Sequence, residues 1–149
     1  MRIVLGLDAS PHSEAALEFV RKMAWPPESQ VIIVASVSLP AAALAAIAPV
    51  TGLEIGLWDK EITQICAQSV SSAERTLREA GLAAEGRVLH GDARECLVDV
   101  ATKERADLLV VGSHGRSGLD KLLLGSVASH LVAHAPCNVL VIKLGAPQT

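Results

Sequence analysis

Aromatic side chains are nearly missing from this chain: Phe19, Trp25 and Trp58 are the only three, and there is no tyrosine. Proteins that hold single-stranded nucleic acid stack successive bases on rows of rings, so that mode of binding is excluded and the core must be aliphatic. A surplus of positive charge is missing as well. Thirteen Lys and Arg stand against sixteen Asp and Glu, a net charge of −3, which exerts no long-range pull on nucleic-acid phosphates. Nucleic acid is not expected as a principal partner. Cysteine is sparse: Cys66, Cys96 and Cys137 are odd in number, far apart and never in a C-x-x-C pair. That argues against a disulfide framework and a zinc site, and fits a reducing cytoplasm.

An unbroken long apolar run is also lacking. The stretch from Leu39 to Leu57 is strongly apolar, yet Pro40, Pro49, Gly52 and Glu54 interrupt it, and a bilayer-crossing helix needs about 20 largely apolar residues. No membrane span is expected, and the stretch, up to Trp58, reads as a surface lid or partner interface. The N-terminus opens on Arg2 and a short strand-like run, without the basic, apolar and cleavage segments of a secretory signal. A cytoplasmic location is expected.

What is present is aliphatic and periodic. Half of the 149 residues are hydrophobic, enough for one domain over residues 1–149. Short β-branched runs at Ile3 to Leu7, Val31 to Val37, Glu85 to His90, Leu108 to Val111 and Val139 to Ile142 alternate with segments of helical period. Such alternation predicts an α/β fold, a parallel sheet covered by helices on both faces, with strands apolar enough to be buried on both sides. Ala16, Phe19, Val20 and Met23 predict a first helix over Ser13 to Met23, stopped before Pro26. A longer helix around Lys60 to Ala80 places Ile62, Ile65, Cys66, Ser69, Val70, Ala73 and Leu77 on one stripe, with Gly81 as its stop. Asp92 and Glu95 resemble a capping pair for a third helix, and a fourth begins near Ser126 and ends before Pro136.

After the fourth strand the chain reads Gly112-Ser113-His114-Gly115-Arg116-Ser117-Gly118, and nine residues separate Gly115 from Gly125-Ser126-Val127-Ala128. Glycines here let a backbone turn sharply and bring its N–H groups close to phosphate oxygens. Gly125 and Ser126 then open a helix whose first N–H groups lack internal partners and carry the positive end of the dipole. Arg116 and Lys121 add positive charge. Two other nucleotide motifs are excluded, since the first strand ends in Asp8-Ala9-Ser10-Pro11 without a dinucleotide G-x-G-x-x-G, and no Gly-Lys-Ser/Thr occurs anywhere. If strands one and four are neighbours at a topological switch point, Asp8 faces the glycine loop and its carboxylate can accept from a ribose or an adenine amino group. Asp8 also suits a cap on the first helix, and both roles stay open.

The Gly112-x-x-Gly115, nine residues, Gly125-Ser126 pattern resembles the nucleotide motif of ATP-binding universal stress proteins. The resemblance extends to Ile3-Val4-Leu5-Gly6-Leu7-Asp8, to Ala106 to Val111, and to Gly125 to Val141 with His134-Ala135-Pro136-Cys137. It implies a Rossmann-like sheet in the order 3-2-1-4-5, homodimerisation through the last strand, and ATP, with Mg2+ as a companion ion, at the switch point. It also implies that Asp8 contacts the nucleoside, that Val37 packs on adenine, and that Gly112, Gly115, Gly125, Ser126 and Val127 line the phosphate path. Val111, which leads into the glycines, and Arg116 are counted with these binding residues. Ala128 stands where some ATP-binding members carry a hydroxyl, and Ser36-Val37 replaces a commoner His-Val pair. The resulting expectation is a nucleotide-dependent regulatory module of the stress response. Its alternatives are a slow ATPase or autophosphorylating protein, an AMP or cyclic AMP binder, and a nucleotide-independent interaction protein. Phosphoryl transfer needs a held metal and an in-line nucleophile, and Asp120 is the only carboxylate near the loop in sequence, so no catalytic residue is singled out. His130 and His134 have zinc-compatible spacing, but Leu131 stands where a zinc protease carries glutamate, and no metal ligand is expected.

Overall fold

A computed structural model describes residues 1–38, 52–115 and 124–144. The elements run β1 (Arg2–Leu7), α1 (Pro11–Lys22), β2 (Gln30–Val37), α2 (Gly52–Glu79), β3 (Ala83–His90), α3 (Ala93–Lys103), β4 (Leu108–Gly112), α4 (Ser126–His134) and β5 (Asn138–Ile142). All five strands are parallel, in the order β3-β2-β1-β4-β5. The α/β architecture and strand order expected above are those of the structure. The apolar stretch from Leu39 to Leu57 lies largely outside the described residues.

Alternation along the strands divides the core in two. Ile3, Leu5, Val31, Ile33 and Val110 point to one face, where Ala16 and Val20 of α1 and Val70, Ala73 and Leu77 of α2 cover them. Val4, Ile32, Val34, Leu109 and Val111 point to the other, beneath Leu97, Val100 and Ala101 of α3 and Ala128 and Leu131 of α4. Each such aliphatic side chain contributes about 1.5–3 kcal/mol when fully buried, which explains how the chain dispenses with aromatic residues. The α2 stripe is narrower than its sequence suggests. Cys66, Val70, Ala73 and Leu77 follow the face toward the sheet, while Ile65, one position off that row, is 54 % exposed.

Helix ends explain the boundaries. α1 begins at Pro11 rather than Ser13, because Ser10 is the cap: its Oγ accepts from the Ser13 N–H at 3.1 Å, and proline's fixed φ suits the first helical position. Asp92 caps α3 by accepting from the Arg94 N–H at 2.8 Å. α2 ends at Gly81, with φ +86°, where Gly81 N–H donates to Arg78 O and Leu82 N–H to Leu77 O. The same pair of bonds closes α3, from Arg105 to Thr102 and from Ala106 to Ala101, but there the left-handed residue is Arg105, φ 51°.

The two sheet edges differ. On β3, the Gly86 N–H donates to Glu74 Oε2 at 3.2 Å and the Ala84 carbonyl accepts from Arg78 Nε at 3.1 Å, so an ion-paired glutamate and arginine of α2 occupy two of its outward groups. On β5, Ile142 O faces inward and accepts from the Ser113 N–H, which turns the backbone groups of its alternate neighbours Val139 and Val141 outward.

Candidate functional site

Ile3, Val4 and Leu5 of β1 stand opposite Leu108, Leu109 and Val110 of β4, so both strands release the chain side by side at their carboxyl ends. β2 and β3 lie to one side of this pair and β5 to the other. That makes it the switch point at which open parallel sheets take ligands.

On the β1 side the chain turns through Ala9, whose φ of 58° is left-handed. Exposed Asp8 steadies the turn by accepting from the Ser10 N–H at 3.0 Å. Asp8 is therefore not the helix cap, a role that Ser10 takes. Its other oxygen faces the glycine loop: a Cβ placed on Gly115 would lie 2.9 Å from Asp8 Oδ2. The juxtaposition expected from sequence is present.

On the β4 side, Gly112 is required by a different neighbour. A Cβ there would sit 2.6 Å from the His12 carbonyl carbon, so α1 rests its first turn directly on the strand end. Ser113 follows, 1 % exposed. Its Oγ lies 3.1 Å from Nδ1 of His12 and 3.1 Å from Nδ1 of His114, and the two rings are tilted at 51° with centroids 5.1 Å apart. Two helix caps hold this peptide. Ser113 O accepts from the Gly125 N–H at 2.7 Å, and His114 O accepts from Ser10 Oγ at 3.4 Å. The starts of α1 and α4 thus converge on residues 113–115.

Those starts are unlike in one respect. α1 has the Ser10 hydroxyl as cap and Glu14 in its first turn, and α3 has Asp92 and Glu95, whereas Gly125 offers α4 no side-chain cap and no acidic residue follows in its first turn. Uncapped N–H groups at the positive end of a helix are satisfied well by an anion. Beside them Ser126 is exposed and Val127 is half-buried against the second core. Val111 is 4 % exposed within that core, and Val37, at the end of β2, is 3 % exposed. Arg116, Asp120 and Lys121 lie outside the described residues.

The sequence drew attention to the glycines and to Asp8 but not to Ser10, His12 or Ser113 as a group. Their association depends on packing between residues about one hundred positions apart. The rings of His130 and His134 stack with centroids 4.2 Å apart, and His134 Nδ1 donates to the His130 carbonyl at 2.9 Å. Among the described residues no group of three or more His, Cys, Asp or Glu side chains is placed to hold a metal ion.

The model of the universal stress protein family matches residues 1–143. The chain belongs to that family. A curated relative, universal stress protein MJ0531 of Methanocaldococcus jannaschii, is 32 % identical over 101 residues, covering 65 % of this chain and 59 % of the relative. The first three curated relatives are matched over 59 %, 48 % and 51 % of their lengths, so the chain spans about half of each. Among solved structures, MJ0577 superimposes with a TM-score of 0.83 at 26 % identity, over 97 % of this chain and 96 % of that one. A universal stress protein in complex with cAMP superimposes with a TM-score of 0.66 at 25 % identity, over 96 % of both chains. No helix among the described residues is long and apolar enough to cross a membrane.

Proposed function

We propose that the chain binds ATP, with Mg2+ as companion ion, at the carboxyl ends of β1 and β4, and acts as a nucleotide-dependent regulatory module of the stress response. One observation carries the reading: the uncapped, acid-free start of α4 lies on the Ser113 to Gly115 backbone, across which Asp8 is already in place. In this reading Asp8 accepts from the nucleoside, and Val37 and Val111 form the apolar floor. Gly112, Gly115, Gly125, Ser126 and Val127 border the phosphates, with Arg116 as counter-charge. The working unit is a cytoplasmic homodimer of a single domain, residues 1–149, joined through β5. Binding alone accounts for these features, and no catalytic residue is required.

The cAMP complex of a structural neighbour supports a second reading, in which a nucleoside monophosphate or cyclic monophosphate is the preferred ligand. Titration calorimetry with ATP, ADP, AMP and cAMP separates them. We expect ATP to bind most tightly, Gly115→Val to abolish binding by displacing Asp8, and Ser126→Ala to weaken ATP more than AMP. Tighter binding of cAMP than of ATP favours the second reading. No heat with any of the four sinks both.

A further inference from the structure

α2 is covered on one side. Cys66, Val70, Ala73 and Leu77 face the sheet, and the row opposite them runs from Trp58 through Glu61, Ile65, Gln68 and Ser72 to Arg75, every member exposed. Its steps alternate between three and four residues, the spacing at which one helix meets another along a seam. The apolar end of the row stands in water: Trp58 is 57 % exposed and Ile65 54 %, with Leu57 beside them at 58 %. Trp25, by contrast, donates its Nε1–H to the Val20 carbonyl at 2.7 Å. Among the described residues Trp58 Nε1 has no acceptor, and Glu61 and Arg75 have no ion-pair partner. Apolar groups exposed together in this way mark a surface for a partner.

The other half of the same helix has the complementary shape and charge. Ser71, Glu74, Arg75, Arg78 and Glu79 line an open concavity of about 430 Å³. It offers two guanidinium groups, which are attracted to an indole face, and two carboxylates that can accept an indole N–H. Arg78 is held in place by Glu74 and by the Ala84 carbonyl. Trp58 cannot reach this concavity in its own chain, since 17 helical residues at about 1.5 Å each separate it from Arg75. A second copy can supply the tryptophan. Laid antiparallel about a two-fold axis between Ile65 and Gln68, the row brings Trp58 opposite the partner's Arg75, Glu61 opposite the partner's Ser72, and Ile65 opposite the partner's Gln68. Leu57 then meets the aliphatic stem of the partner's Arg78. The two-fold axis makes each contact occur twice. Parallel pairing instead sets Glu61 against Glu61 and Arg75 against Arg75, so charge selects the antiparallel arrangement.

We propose that the outward face of α2 is a docking surface for a second copy of this chain, paired antiparallel about Ile65 and Gln68 with Trp58 seated on the partner's Arg75. The surface lies beside β3, at the opposite edge of the sheet from β5, and is independent of the nucleotide reading. A helix pair of this length buries less than the roughly 1,200 Å² of a stable complex, so the association is weak, reversible and confined to high concentration.

Sedimentation equilibrium and tryptophan emission of the full chain, from about 5 μM to about 1 mM, test this. We expect the mass to rise from that of the dilute species toward twice that value, and the emission to shift to shorter wavelength over the same range as Trp58 leaves water. Trp58→Ala and Arg75→Ala should each weaken association about tenfold, because the contact is made twice. The double variant should be no weaker than either, because both remove the same pair. Ser72→Lys should tighten association about threefold by facing Glu61, and Glu61→Lys in that background should reverse the gain. All four positions are exposed, and unchanged urea midpoints verify that the variants fold. Constant mass and emission over the whole range overturn the proposal and leave Trp58 to residues 39–51 of its own chain or to a different protein. Association that Trp58→Ala leaves unchanged overturns it as well, and a Ser72→Lys gain that survives Glu61→Lys overturns the antiparallel pairing.

Discussion

Gly112 and Gly115 read alike in sequence, as two positions where a phosphate approaches backbone, yet they lack side chains for different reasons. The obstacle at Gly112 is the backbone of His12, which cannot move without moving α1. The obstacle at Gly115 is a terminal oxygen of exposed Asp8, which can rotate away. We therefore expect Gly112→Ala to destabilise the fold by about 1–3 kcal/mol, the usual cost of overpacking. Gly115→Ala should fold within about 0.5 kcal/mol of the parent, as exposed substitutions usually do, while losing affinity for the nucleoside. Urea unfolding followed by adenosine titration of both variants checks this, and equal destabilisation by the two would contradict it. The glycine pattern was legible in sequence because turns and close approaches restrict residue type locally. The identity of each neighbour was not, because His12 and Gly112 meet only when α1 packs against β4.

Among the elements, α3 has both ends resolved into named groups. Arg94 holds the Asp92 carboxyl at about 2, well below its ordinary value, through its guanidinium first and its backbone N–H second, against the opposing effect of partial burial. A carboxyl that ionises more readily in the folded chain contributes stability above about pH 4, its unfolded range, and loses that contribution as pH falls toward 2. Asp92→Ala should thus cost about 1 kcal/mol at pH 7, as other N-cap losses do. The difference between variant and parent should shrink between pH 4 and pH 2 in thermal melts. At the other end Arg105 occupies a left-handed position that glycine usually fills. Arg105→Gly should raise stability by about 0.5–1 kcal/mol, measurable as a higher urea midpoint with unchanged slope. The stop at Gly81 could be read from sequence because glycine signals the conformation. The stop at Arg105 could not, since arginine carries no such signal and only its left-handed φ and the bonds from Arg105 to Thr102 and from Ala106 to Ala101 reveal it. The same limit applies to Ile65, which fits a helical period in sequence but lies off the row that α2 turns toward the sheet.

At the scale of the whole molecule, strand runs and their alternation with helices gave the α/β class, because parallel strands buried on both faces are apolar throughout. The order of the sheet came from the family resemblance, since runs of valine and isoleucine do not state which strand lies beside which. The proposed dimer draws on the contrast between the sheet's two edges. Val139 and Val141 turn their backbone groups outward from β5, whereas Glu74 and Arg78 occupy two of those of β3. Proline at an outward position leaves the β4–β5 ladder intact while removing one outward donor. We expect Val141→Pro to halve the mass measured by sedimentation equilibrium with unchanged far-UV dichroism. A parent chain that already sediments as a monomer would refute the dimer.

In the proposed dimer, the glutamate and arginine that α2 lays along β3 bear on how far assembly would proceed. A sheet with two receptive edges has two growth ends, and repeated strand addition then runs on into filaments; a sheet with one receptive edge and one blocked edge stops at a closed pair. If the dimer forms through β5 as proposed, Glu74 and Arg78 would act as a chain terminator for assembly. Their joint replacement by alanine should turn a population of fixed size into one whose light scattering grows with time and concentration.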